Sequence, residues 1–244
     1  MGKIKVILWD IDATILDFAA AEQVAIRKCF SVFGLGACTD EMLSVYSKIN
    51  KEYWKRLERQ EITKPEVLEG RFRDFFEKYG LDTSIAPQFN AEYQVRLGDT
   101  VCFNKNALEV VKACKGKILQ YAVTNGTKIA QERKLVNSGL IDLLDGVFIS
   151  DVIGMEKPSV EFFDAVFKQI GDYDKFEVLI VGDSLTSDMQ GGINAGIVTC
   201  WYNPGKKEND LHLKIDYEIS DLDQVWEIVF SDEPPAVDFK VEMC

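Results

Sequence analysis

Histidine is almost missing from this chain: among 244 residues there is one, His212. It lies in a polar stretch, Asn209 to Lys214, and reads as a solvated or capping residue, although histidine is the commonest general base elsewhere. The six cysteines (Cys29, Cys38, Cys102, Cys114, Cys200 and Cys244) are scattered, with no C-x-x-C pair. That spacing argues against a zinc or disulfide framework and for small buried hydrophobes in a reducing compartment. The apolar run Lys3–Trp9 is too short for a signal peptide core with its cleavage site, and far short of the roughly 20 residues that cross a bilayer. No internal repeat or low-complexity segment appears, and Gly191, Gly192 and Gly196 form no dinucleotide fingerprint. They fit close packing and a helix end better.

Positive charge is also short. Lysine and arginine number 28 against 40 acids, a net charge of −12. Such a surface repels nucleic acid and anionic membrane, so neither is expected as a partner. It repels a phosphorylated small molecule too. A site for one must therefore reverse the sign locally, with a metal ion, a lysine or backbone N–H groups. A cytoplasmic location is expected, and the oligomeric state is left open between a monomer and a weak dimer.

What the chain does contain is enough apolar residue, 47%, to bury a substantial core without a disulfide or structural metal. Short β-branched runs at Ile4–Trp9, Leu119–Val123, Val147–Ile149, Val178–Val181 and Val198–Trp201 read as buried parallel strands. Helical spacing separates the later ones, at Lys128–Ser138 and Val160–Ile170, with Pro158 read as a first-turn proline. This alternation predicts an α/β fold with an open, doubly wound parallel sheet. Residues 17–95 lack strand-like runs. Ala21, Val24, Ala25, Cys29 and Val32 share a helical face; Thr39-Asp40-Glu41 looks like a helix start; Pro65–Tyr79 repeats apolar residues at helical spacing. The expectation is an all-helical domain over 17–95, inserted into an α/β core made of 1–16 and 96–244. Tyr46, Tyr53, Trp54, Phe72, Phe75, Phe76 and Tyr79 are expected to be mostly core, and Arg71 and Arg73 to lie on a solvated face. The tail from Ser231 reads as a peripheral extension.

Chemistry-bearing residues follow four of the strands. The first strand ends in Asp10-Ile11-Asp12, two carboxylates at the edge where open α/β sheets bind ligands. Alone, that pair reads better as two solvated loop acids. After the second strand, Thr124-Asn125-Gly126 offers a hydroxyl, an amide and a permissive glycine suited to a phosphoryl oxygen, or to an ordinary helix cap. After the third, Lys157 could neutralise phosphate charge or simply face solvent. After the fourth, Gly182-Asp183 and Asp188 add two carboxylates. Oxygen donors without a His/Cys cluster suit Mg²⁺ and not zinc. Phosphoryl transfer needs a nucleophile, charge neutralisation and a proton for the leaving group, which Asp10, Mg²⁺ with Lys157, and Asp12 can supply.

In this ordered set the chain resembles the haloacid dehalogenase-like (HAD) hydrolase superfamily. The resemblance implies that Asp10 is a nucleophile forming an aspartyl-phosphate and that Asp12 is the general acid and base. It implies that Thr124, with Asn125 beside it, and Lys157 hold the phosphate. Magnesium would be held by the Asp10 carboxylate, the Asp12 backbone carbonyl and Asp183, with Asp188 in or near the shell. Ala13 stands where the superfamily usually has glycine. The helical insertion resembles the superfamily's first class of cap, a lid that excludes water and sets leaving-group preference. Phe18, Gly182–Asp188, Gly191–Gly196 and Trp201–Pro204 further resemble the bacterial pyrimidine 5′-nucleotidase branch. The expected substrate is a small phosphate monoester, foremost a nucleoside 5′-monophosphate. A sugar phosphate or phosphoglycolate is the alternative within enzymes, and a catalytically silent binding protein the alternative outside them. Dehalogenation needs neither a metal nor a second aspartate, and both are provided for here.

Overall fold

A computed structural model of the chain describes residues 3–230. The tail from Ser231, and with it Cys244, lies outside the described residues. The five cysteines within them are all free. No helix among the described residues is long and apolar enough to cross a membrane.

The chain divides into two compact units. Among the described residues, the first comprises 3–17, 102–128 and 138–230; the second comprises 18–101 and 129–137. The expected boundaries differ from this division chiefly at 129–137, which groups with the helical unit although it lies between two strands of the sheet in sequence.

The first unit is built on six parallel strands: β1 (Val6–Trp9), β2 (Leu119–Thr124), β3 (Gly146–Ile149), β4 (Val178–Gly182), β5 (Val198–Tyr202) and β6 (Tyr217–Ile219). Their order in the sheet is β3-β2-β1-β4-β5-β6. Five of the six match the apolar runs; β6 is too short and too polar to have been singled out. β1, β4 and β5 are buried at every position, which is why they read as unbroken apolar runs and not as alternating ones. One face of the sheet packs Val6, Leu8 and Ile180 against Phe162, Phe163 and Val166 of α8 (Val160–Ile170). The one polar pair threaded through β1 and β2 is satisfied: Trp9 Nε1 donates to Gln120 Oε1 at 3.0 Å, and Gln120 Nε2 donates to the Val111 carbonyl at 3.1 Å.

Helices α5 (Ala107–Cys114), α7 (Ser150–Ile153), α9 (Gln190–Ala195) and α10 (Gln224–Val229) complete this unit. Helix α8 spans the expected residues, but Pro158 does not lie in its first turn. Ser159 is its N-cap, accepting from the Phe162 N–H at 3.2 Å, so Pro158 lies outside the helix. Gly192 is fixed by packing, since a Cβ there would press on Ile180 and Thr199 at 2.7 Å.

The second unit holds α1 (Phe18–Val32), α2 (Asp40–Glu58), α3 (Lys64–Tyr79) and α4 (Ala86–Gly98), joined by most of α6 (Lys128–Asn137). Thr39 caps α2 as expected, accepting from the Met42 N–H at 3.2 Å. Tyr46, Phe72, Phe75, Phe76, Phe89 and Tyr93 are fully buried in one core. Tyr53, Trp54 and Tyr79 are only partly buried.

Arg71 corrects the sequence expectation. It is 1% exposed, with its guanidinium 4.9 Å from the Phe72 ring centre and 5.2 Å from that of Tyr93. It donates to Asn50 at 2.6 Å and to Asn90 at 3.0 Å, and Asn50 donates to the buried Glu22 carboxylate at 2.8 Å. Helical periodicity cannot distinguish a solvated cation from one held by aromatic faces and amides contributed by other helices. Arg73, two residues on, is exposed and pairs with Glu69 at 2.8 Å, as expected.

Burial pushes the Glu22 carboxyl above its ordinary value, against the opposing pull of Ser47, Asn50 and Arg71. An acid whose folded-state pKa is raised contributes stability below its unfolded value, here 4.5, and loses that contribution as pH rises through the folded value. Denaturant titrations of wild type and Glu22→Gln should therefore give a stability difference, wild type minus variant, that falls as pH rises from about 4.5 towards neutrality. A flat or rising difference would refute this placement of the carboxylate.

Candidate active site

Strand order positions the site. The sheet reverses its winding between β1 and β4, and the C-terminal ends of those two strands carry Asp10, Asp183 and Asp188. At such a reversal the loops leave in opposite directions and open a crevice, where doubly wound sheets bind ligands. Thr124 closes β2 on the other side of β1, and Lys157 lies in the stretch between β3 and α8.

Lys157 ties these elements together. Its ammonium is 1% exposed and donates to Asp10 Oδ1 at 2.8 Å, Asp188 Oδ1 at 2.6 Å and the Val123 carbonyl at 2.7 Å. Three N–H groups thus meet three oxygens, the arrangement a buried ammonium needs. Burial alone would lower the Lys157 pKa, but Asp10 and Asp188 more than reverse this and hold the group charged. Burial and the Asp188 carboxylate also push the Asp10 pKa up, well above the usual carboxylate range, with Lys157 opposing.

The remaining oxygens are also held. Thr14 Oγ1 donates to Asp10 Oδ2 at 2.9 Å, and the Ser184 N–H donates to Asp188 Oδ2 at 3.1 Å. Thr14 carried no role in the sequence reading; its position four residues after Asp10, across a tight turn, was the available signal. In that turn the Ala13 N–H donates to the Leu16 carbonyl and the Leu16 N–H to the Ile11 carbonyl, both at 2.8 Å. The turn puts Ala13 at φ 69°, a left-handed conformation that costs a residue with a Cβ about 1 kcal/mol. Asp12 is half-buried beside it.

Asn125 faces Lys157. Its Oδ1 accepts the Lys157 N–H at 2.8 Å, and its Nδ2 donates to the Lys157 carbonyl at 2.8 Å and to Ser187 Oγ at 3.3 Å. Thr124 Oγ1 accepts from the Gly126 N–H at 3.1 Å. Asp183 presents its backbone carbonyl to Trp201 Nε1 at 2.9 Å. Seven expected site residues, Asp10, Asp12, Thr124, Asn125, Lys157, Asp183 and Asp188, thus lie in one unit at one sheet edge.

Carboxylate oxygens of Asp10, Asp183 and Asp188 lie within 4.8 Å of one another. Three carboxylates against one ammonium leave an excess of negative charge that a divalent cation would balance. The donors are all oxygen, so a hard ion such as Mg²⁺ fits and a thiolate- or imidazole-seeking one does not.

The profile of the haloacid dehalogenase-like hydrolases matches residues 4–196. The chain belongs to that family. Among its relatives, the pyrimidine 5′-nucleotidase PynA of Streptococcus pneumoniae is 36% identical over 88% of this chain and 90% of its own length. The pyrimidine 5′-nucleotidase YjjG of Escherichia coli is 27% identical over 91% and 96%. A crystal structure of the putative HAD-hydrolase YfnB of Bacillus subtilis, bound to magnesium, superposes with a TM-score of 0.87. It is 32% identical and covers 94% of this chain and all of that one. Hydrolase activity and the HAD fold therefore belong to this chain as to its family.

Two backbone positions supply tests. Ala13→Gly relieves the left-handed strain, and thermal unfolding should move up by about 2–4 °C for a gain of about 1 kcal/mol. Gly182→Ala would drive a Cβ into the buried Asp188 carboxyl. That variant should unfold several degrees lower than wild type, and an unchanged midpoint would mean Asp188 is placed elsewhere.

Proposed function

We propose that this protein is a Mg²⁺-dependent phosphatase acting through an aspartyl-phosphate, with a pyrimidine nucleoside 5′-monophosphate as its substrate. The observation that carries the reading is the pairing of a buried Asp10 with a saturated Lys157 at the sheet's switch point. Thr14 and Lys157 fix the two oxygens of Asp10, so the carboxylate is oriented before substrate arrives. Asp10 attacks phosphorus and the alkoxide departs. Asp12, two residues along on the half-buried turn, gives that alkoxide its proton and then takes one from the water that opens the acyl phosphate. Thr124 is assigned as a donor to the phosphoryl oxygens, and Lys157, whose three N–H groups already meet protein oxygens, is assigned to supply positive charge beside them as charge redistributes.

Magnesium would be held by Asp10, Asp183 and the Asp12 carbonyl, with Asp188 bridging to Lys157. When bound it supplies electrostatic stabilisation of the transferring phosphoryl group and balances the carboxylates. The relatives PynA and YjjG, named for pyrimidine 5′-nucleotide hydrolysis, support the choice of leaving group. The helical unit is read as the family's cap, carrying that choice.

Phosphate release from a panel of nucleotides, sugar phosphates and phosphoglycolate tests the reading. Uridine and thymidine monophosphates should give the highest kcat/KM, chelation should abolish turnover, and folded Asp10→Asn should lose at least about 10³-fold. Full turnover in Asp10→Asn would rule out the covalent route. A preference for sugar phosphates would overturn the substrate alone.

A further inference from the structure

We infer that the Asn125 side chain is a positioning residue for Lys157, acting through that lysine's backbone and not as a ligand of the phosphoryl group. The inference rests on the aspartyl-phosphate reading above. A lysine reaches its target on a flexible four-carbon stem, so fixing its ammonium does not by itself fix the line along which it approaches. Here both ends are fixed. The ammonium is held by Asp10, Asp188 and the Val123 carbonyl, and the peptide groups on either side of its Cα are held by one amide.

The geometry leaves Asn125 little else to do. Its Oδ1 accepts from the Lys157 N–H at 2.8 Å while its Nδ2 donates to the Lys157 carbonyl at 2.8 Å. A side-chain amide carries its acceptor and its donor side by side, and so satisfies a backbone N–H and carbonyl together. The second Nδ2 proton is directed to Ser187 Oγ, 3.3 Å away, on the turn that carries Asp188. Asn125 therefore links three segments that follow different strands: its own after β2, the Lys157 stretch after β3 and the Asp188 turn after β4. Ser187 is set in turn, since its N–H donates to Ser184 Oγ at 3.1 Å. Turning the amide towards a phosphoryl oxygen would break its bonds to the Lys157 backbone, leaving groups beside a 1%-exposed side chain without partners.

A double-mutant cycle between the two residues decides the matter. With p-nitrophenyl phosphate and saturating Mg²⁺, Asn125→Ala should lower kcat by about 30-fold, the loss appropriate to two ordinary hydrogen bonds, with KM and the inhibition constant of inorganic phosphate moving less than about threefold. In a Lys157→Arg background the same Asn125→Ala change should cost less than about threefold, because its route to the reaction is already altered. An equal loss in both backgrounds overturns the inference, as does a loss carried by KM and the phosphate constant, which a direct phosphate contact would give. If Asn125→Ala does not fold, Asn125→Asp replaces it, since it keeps the acceptor for the Lys157 N–H but not the donor to its carbonyl. Wild-type kcat in folded Asn125→Asp overturns the inference. If Lys157→Arg is inactive, the split between kcat and the phosphate constant in Asn125→Ala and Asn125→Asp is read alone, and a loss carried by the phosphate constant overturns the inference. Loss of nucleotide preference without change in these couplings would touch only the substrate assignment.

Discussion

The ammonium of Lys157, sealed from water and divided among Asp10, Asp188 and a β2 carbonyl, is the interaction on which the site depends. An unpaired buried charge costs several kcal/mol, so neither the lysine nor the carboxylates could be left there alone. The need to bring all of them together fixes what surrounds them. The sheet must place β1 between β2 and β4, Gly182 must leave room for the Asp188 side chain, and Asn125 must hold the lysine's backbone. The carboxylates still outnumber the cation. That excess is what makes the edge fit a divalent metal, despite an overall charge that disfavours anionic substrates.

The helical unit follows a different constraint. Its core is aromatic, yet it encloses Arg71, Asn50 and Glu22 joined in series. Such a chain of polar groups is tolerable inside a bundle because each link is hydrogen-bonded and the guanidinium lies against two ring faces. Glu22 retains a raised carboxyl because these partners only partly offset its burial. The unit's identity as the family's lid is a functional reading, and its internal packing stands independently of it.

Strand runs and motif residues were legible because each is a local pattern. Fully buried parallel strands must be apolar on both faces, and strand-end carboxylates stand out against such runs. The helix of Val160–Ile170 was read to the residue from its apolar stripe, whereas Pro158 was misplaced because the Ser159 cap decides where the first turn begins. Arg71 was misread for a related reason: the aromatic ring of Tyr93 and the amides of Asn50 and Asn90 that hold it come from distant positions. β6 escaped because three residues in a polar stretch carry no periodicity, and its strand character comes from pairing with β5.

By itself the sequence determined the fold class, the order of the chemistry-bearing residues and the oxygen-only donor set they offer. These depend on residue type and spacing, which the chain carries locally. Only the tertiary structure decided that Lys157 is saturated, that Thr14 orients Asp10, that Ala13 bears left-handed strain and that the Asn125 amide faces the Lys157 backbone. Those facts arise where segments distant in sequence, or brought round by a tight turn, compete for the same donors and acceptors. A hydrogen bond has a direction as well as a partner, and direction is set by the folded backbone.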